Sequence, residues 1–207
     1  MTMDSFFEEW IARSREILDS LLSAPRDRPD LLLPLISTAV SHHRHYRRRK
    51  SHIAGGDLLL ALDHPWLTPF ERTFLWLSGW KPSLVFRFLS GDLTAEQRLA
   101  VAELRREAAA EERGLTAAMT TVQENLASPT VMAAVQRADK REEVAEAVAG
   151  PLRGIMESAD EVRARILKRI VEILAPRQAV EFLAAAMGFH LEVRLLGTQW
   201  NSGRRTG

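Results

Sequence analysis

The chain has 207 residues, 46% of them hydrophobic, a formal net charge of +1 and no cysteine. That is enough apolar material for one packed domain, and the missing cysteine excludes disulfides, thiolate catalysis, iron–sulfur clusters and cysteine-type zinc sites. A charge this close to zero gives no global preference for nucleic acid or membrane, so any such preference has to come from a local patch.

Ala, Leu, Arg and Glu dominate and Tyr occurs once, which predicts an all-α fold, a single-domain multi-helix bundle with long antiparallel helices. Residues 1–200 are expected to form the domain and 201–207 a disordered tail. MTMDSFFEEW lacks the basic and apolar segments of a signal peptide, so the expected location is cytoplasmic, with peripheral plasma-membrane or nuclear location as alternatives. Ser5 and Glu8 form a capping-box pattern, and Phe6, Phe7, Trp10, Ile11, Ile17 and Leu21 recur at helical spacing, predicting a first helix over 5–23. Two prolines in 24–30 make a turn, and a second helix runs from about Leu31 to Gly55-Gly56 with Pro34 in its first turn.

Inside that second helix lies SHHRHYRRRK. His42, His43, Arg44, His45, Arg47, Arg48, Arg49 and Lys50 are read as one basic patch, for an acidic partner or an anionic membrane. Arg44 and Arg48 stand at i,i+4 and repel, so an acidic group is expected nearby. The histidines predict a contact that gains charge near pH 6. No carboxylate stands at zinc-hydrolase spacing, and no metal is expected.

Asp57 caps a short apolar helix, and then comes HPWLTPFERTFLWLSGWKPSLVFRF, residues 64–88, with three of the five tryptophans. Thr68, Pro69 and Glu71 fix a helix start, the apolar pattern predicts helix to Gly79, and Pro82 opens the next segment. Trp10, Trp66 and Trp76 are assigned to the core. The corner Trp80, Lys81, Pro82 and Ser83 is the candidate partner-binding surface. Thr94 and Gln97 cap a long helix whose apolar side is read as Leu99, Leu104, Leu115, Met119, Val122 and Leu126, ending at Ser128-Pro129. The adjacent pairs Glu111/Glu112 and Glu142/Glu143 diverge on a helix, are read as solvent-facing, and cannot converge on a reacting bond. The chain then continues helical to about Ala149 with a break at Asp139 to Glu143. One helix follows from Pro151, and another from Pro176 to Gly188, with a last turn near 191–196.

Phosphate-loop, dinucleotide, serine-hydrolase and calcium-loop motifs are absent, which points away from an enzyme. FFEEW, HHRHYRRRK, HPWLTPFERTFLWLSGWKPS, LTAEQ, QENLA and SADEVRARILKRIVEILAPRQAVEFLAA, spread over about Phe6 to Gly197, together resemble the delay-of-germination domain family. The TGA class of bZIP transcription factors shares that domain. Without a basic region and leucine heptads before Phe6, the chain is expected to be a stand-alone member with no direct DNA binding, most similar to the inaperturate-pollen type. The resemblance implies a non-enzymatic developmental regulator acting as a protein-interaction adaptor in pollen aperture formation at plasma-membrane domains, with a homo-oligomer among its expected assemblies. The alternative it implies is a seed-dormancy or transcription co-regulator that binds phosphatases, with haem or a fatty acid as ligand. The expected cofactor is none, and His190 is the only histidine beyond His64 for haem.

Overall fold

In a computed structural model, which describes residues 2–204, helices α1 (Met3–Ser23), α2 (Pro29–Gly56), α3 (Leu58–Asp63), α4 (Pro69–Arg72), α5 (Ala95–Leu126), α6 (Pro129–Gln136), α7 (Arg141–Ile173) and α8 (Pro176–Arg204) follow one another, with 3-10 segments at Pro82–Phe88 and Ala138–Lys140. The described residues contain no strand. The all-α expectation is met. Among the described residues no helix is long and apolar enough to cross a membrane.

The helix starts follow local chemistry. Thr68 and Thr94 each accept a hydrogen bond from the backbone N–H three residues on, and Glu71 and Gln97 reach back to the caps, so both capping boxes form. Asp57 caps α3 through the Leu60 N–H at 2.8 Å. At the N-terminus the cap is Thr2, whose hydroxyl accepts from the Ser5 N–H, so α1 starts ahead of the Ser5 box. α7 passes through Pro151, and α8 passes Gly188 and runs to Arg204. Residues 201–204 are therefore helical, while 205–207 of the expected tail lie outside the described residues.

One core joins α1, α2, α5, α7 and α8 through Leu21, Leu32, Leu104, Ile166 and Leu183. A second joins Phe7, Trp10 and Ile11 to Trp66 and Leu67, and a third seals Ala54, Leu58, Ala61 and Met156. The inward row of α5 is Val101, Leu104 and Ala108, whereas Leu99 is 74% and Leu126 42% exposed. From Arg113 to Gly154 no described side chain is buried, so the outer halves of α5 and α7, with α6, project beyond the core.

Candidate interaction surface

The expected helix over 68–79 ends at Arg72. Trp76 and Gly79 close a tight turn on each other instead, N–H to carbonyl at 2.6 Å one way and 3.2 Å the other. Leu77 (φ 45°) and Ser78 (φ 63°) occupy the left-handed region at its two central positions, as a type I′ turn requires. Non-glycine residues rarely take this conformation, and something must hold them there.

The hold comes from α2 and α7. The Arg163 guanidinium donates to the carbonyls of Trp80 at 2.6 Å, Leu77 at 3.0 Å and Trp76, and it lies over the Trp76 ring. Lys50 Nζ donates to the Ser78 carbonyl at 2.7 Å. Between the two cations sits the buried Asp160 carboxylate, 2.7 Å from Arg163 and 2.7 Å from Lys50. Arg47 donates to the Asp160 carbonyl at 3.0 Å. Burial pushes the Lys50 ammonium down to about 8, while Asp160 opposes the fall and keeps it charged at neutral pH. Gly79 matters here for space: a Cβ at this position would stand 2.7 Å from the Arg163 guanidinium carbon.

The basic patch is therefore not one surface. Lys50 is inside, neutralised by Asp160. His42 is also buried, stacked on Trp10 at 4.7 Å between ring centroids, with its Nε2 2.7 Å from the Ser14 hydroxyl. Arg44, His45 and Arg48 are exposed, whereas His43, Arg47 and Arg49 are half-buried. Burial also takes His42 and His43 out of the expected pH switch: it lowers His42, His43 and His64 to about 4 and His190 to about 3, so these four stay neutral at pH 6, and the exposed His45 and His52 are left to carry such a contact. The Ser14–His42 pair is sealed under Trp10, and the Ser14 hydroxyl also meets the Trp10 carbonyl at 2.8 Å, which makes it a packing element. Among the described residues no group of three or more His, Cys, Asp or Glu side chains is placed to hold a metal ion.

The corner 80–83 is also divided. Pro82 is buried, Ser83 is half-buried and donates its N–H to Glu112 at 2.6 Å, and exposed Lys81 lies 3.5 Å from the same carboxylate. Glu112 is thus buried, against the expectation for the Glu111/Glu112 pair, while Glu111 faces outward and pairs with Arg165. Trp80 is half-buried, in company that the sequence did not reveal. The rings of Trp200, Phe70, Phe74, Trp80, Phe189 and Phe88 form an unbroken chain with centroids 5.3 to 6.4 Å apart. Trp200 is 61%, Phe74 43% and Phe189 38% exposed. The indole N–H groups of Trp10, Trp66 and Trp76 donate to the His42 carbonyl, the Tyr46 hydroxyl and Thr116. Those of Trp80 and Trp200 have no acceptor among the described residues. α8 seats Trp200 beside α4 because Gly197 meets Thr68 with no room for a side chain. The sequence signal for this row was the spacing of Phe189, Val193 and Trp200 on one face of α8.

Residues 15–90, from α1 through the tryptophan turn, match the family described as DOG1, seed dormancy control. The chain is similar to protein ZW2 of Arabidopsis thaliana, 30% identical over 95% of this chain and 96% of that one. It is similar to protein DOG1-like 4 of Arabidopsis thaliana, 31% identical over 94% and 91%. It is also similar to transcription factor TGA2.3 of Oryza sativa subsp. japonica, 25% identical over 97% of this chain and 65% of that factor. An all-helical domain with this reach of similarity has one assignment: the chain belongs to the DOG1 seed-dormancy-control family.

Proposed function

We propose that the chain is a non-enzymatic adaptor in plant development, and that the aromatic row through Trp80 is where it takes a protein partner. The observation that carries the reading is the row itself: six touching rings, three of them well exposed, with two indole donors left unused. Exposed apolar patches of this kind mark interaction sites, and tryptophans with spare N–H groups serve as anchors in them. The absence of catalysis is part of the proposal, supported by the way the polar clusters spend their groups on the fold, as Asp160 does on Lys50 and Arg163. Pollen aperture formation at plasma-membrane domains is the finer setting we propose. Seed dormancy is the alternative, and it is favoured by the family description. Action in the cytoplasm, at the membrane or in the nucleus follows from whichever partner is bound.

The test is quantitative affinity purification from developing anthers and from seeds with the parent chain and the Phe74→Ala/Trp200→Ala variant, both solvent-facing changes that leave the cores intact. The reading expects partners recovered with the parent and lost with the variant. Equal recovery by both would sink it. It also expects no bound haem or acyl chain: a Soret band on haem titration that disappears with His190→Ala, or a lipid in an organic extract of the purified chain, would overturn that part.

A further inference from the structure

Arg44 and Arg48 stand at i,i+4 on α2 with both side chains exposed, an arrangement of like charges that disfavours a helix unless an anion offsets it. A second such pair, on α7, has its compensation within the chain. Arg165 and Arg169 are met by Glu111 and Glu107 of α5, themselves at i,i+4. For Arg44 and Arg48 no carboxylate of the described residues does this. The acidic group that offsets the basic segment, Asp160, is consumed by Lys50 and Arg163 on the inner side of the helix.

The surroundings of the two arginines suit a helix. At 100° per residue, Ser37, Ser41, Ser51 and Gly55 fall in the same outward stripe, and all are exposed. A Cβ built at Gly55 meets nothing within 4 Å. Small residues on both sides of the arginines let a second backbone lie close along α2, while the guanidinium forks match carboxylates in planar, paired geometry. Between Ser37 and Gly55 the stripe offers no large apolar side chain to bury in lipid, and exposed Leu33, one turn before Ser37, is a single such residue where a helix lying in a membrane interface needs a continuous apolar face.

We propose that this face of α2 docks an acidic helix of a partner protein, presenting carboxylates at i,i+4 to Arg44 and Arg48 as Glu107 and Glu111 are presented to Arg165 and Arg169. The site is separate from the aromatic row, so it stands or falls independently of that reading.

The experiment uses the full chain and a labelled Ala-rich synthetic helix with Glu at i,i+4, read by fluorescence anisotropy at low salt. An identical peptide with Gln in place of Glu is the control. The Glu peptide is expected to bind, and Arg44→Gln/Arg48→Gln to weaken it by about tenfold or more. Added salt should weaken it as well, and Phe74→Ala/Trp200→Ala should leave it unchanged. The arginine variant should melt no lower than the parent, because a repulsion is removed, so loss of binding cannot be ascribed to unfolding. Equal affinity for the Glu and Gln peptides, or an arginine variant that binds like the parent, overturns the proposal. Two further results overturn it by naming a different occupant. One is phosphatidylserine-vesicle binding that needs Arg44 and Arg48 and that the peptide cannot compete away. The other is a dimer of the chain alone, seen by sedimentation and lost in the arginine variant; exposed Glu142/Glu146 and Glu157/Glu161 would make a second copy the acidic partner.

Discussion

Replacing Asp160 with Asn should cost far more stability than replacing Lys50 with Met, although the two residues share one ion pair. Asp160 is 7% exposed and holds Lys50 and Arg163 together, each at 2.7 Å. Without the carboxylate two buried cations face each other, and removing one partner of a buried pair costs about 3–5 kcal/mol. Lys50→Met leaves the Arg163–Asp160 pair intact and takes a charge out of the interior. What it loses is the donor to the Ser78 carbonyl, about 1–2 kcal/mol. Against a total of about 5–15 kcal/mol the first loss is a large fraction and the second a modest one. Urea unfolding followed by far-UV circular dichroism separates them. A second readout is pH. With Asp160 gone, nothing offsets the burial that already depresses Lys50, so the folded chain releases that proton before the unfolded chain does. Stability then rises as pH rises from the folded value toward the unfolded value near 10.5, so the Asn variant should recover part of its loss between pH 7 and 9. A Met variant as unstable as the Asn variant would refute the reasoning.

Gly79→Ala should displace Arg163 from three carbonyls and cost about 2 kcal/mol, with a change in tryptophan fluorescence from Trp76 and Trp80; a variant within experimental error of the parent would mean that the guanidinium has room to move. Buried His42 and His64, lowered to about 4, stay neutral in the folded chain while the unfolded chain protonates them near 6.5. Their contribution is therefore complete above pH 6.5 and falls as pH drops from 6.5 toward 4, by about 2 kcal/mol each between pH 7 and 5. Urea midpoints across that range check this, and His64→Gln should flatten the slope. Leu99→Gln should stay within about 0.5 kcal/mol of the parent, whereas Leu104→Ala should cost about 3 kcal/mol, and thermal unfolding of the two variants tests which row of α5 faces the core.

Features fixed by neighbours in sequence were legible; those fixed by distant side chains were not. Thr68 with Glu71, Thr94 with Gln97, and Asp57 could be read because a cap and its donor lie within three residues. The apolar run after Pro69 reads as helix by the same local logic, yet it unwinds at Arg72 because Arg163 and Lys50 take the carbonyls of 76, 77, 78 and 80. That capture depends on residues 28 to 87 positions away, beyond the reach of any window of periodicity. Glu111 and Glu112 do diverge, as neighbours on a helix must, but divergence alone does not say which of them turns inward to the Ser83 N–H. For α5 the choice between Leu99 and Val101 rests on where α7 and the Pro82–Phe88 segment press against it. In the candidate surface, Trp80 could be picked out because it sits at a corner, whereas Phe189 and Trp200 join it only once α8 is laid beside α4.

Buried ion pairs are often replaceable by apolar side chains of similar size without loss, because the cost of desolvating the charges offsets their attraction. Lys50, Asp160 and Arg163 do not fit that case, because the cations also serve the backbone. Leu77 and Ser78 are held in the left-handed region, where no helix or sheet partner is available to their carbonyls. Within the protein, an apolar trio in the place of these three side chains would leave the carbonyls of 76, 77, 78 and 80 without these donors, at about 1–3 kcal/mol for each one buried. Charge is therefore the cheapest means of closing an irregular turn against α2 and α7. The same closure fixes where Trp80 emerges: its carbonyl is gripped from behind by Arg163, while its ring lies 5.9 Å from Phe74 and 5.7 Å from Phe189 in front. A partner that reads the aromatic row thus meets an anchor whose position was set during folding, so little ordering of Trp80 is left to oppose binding.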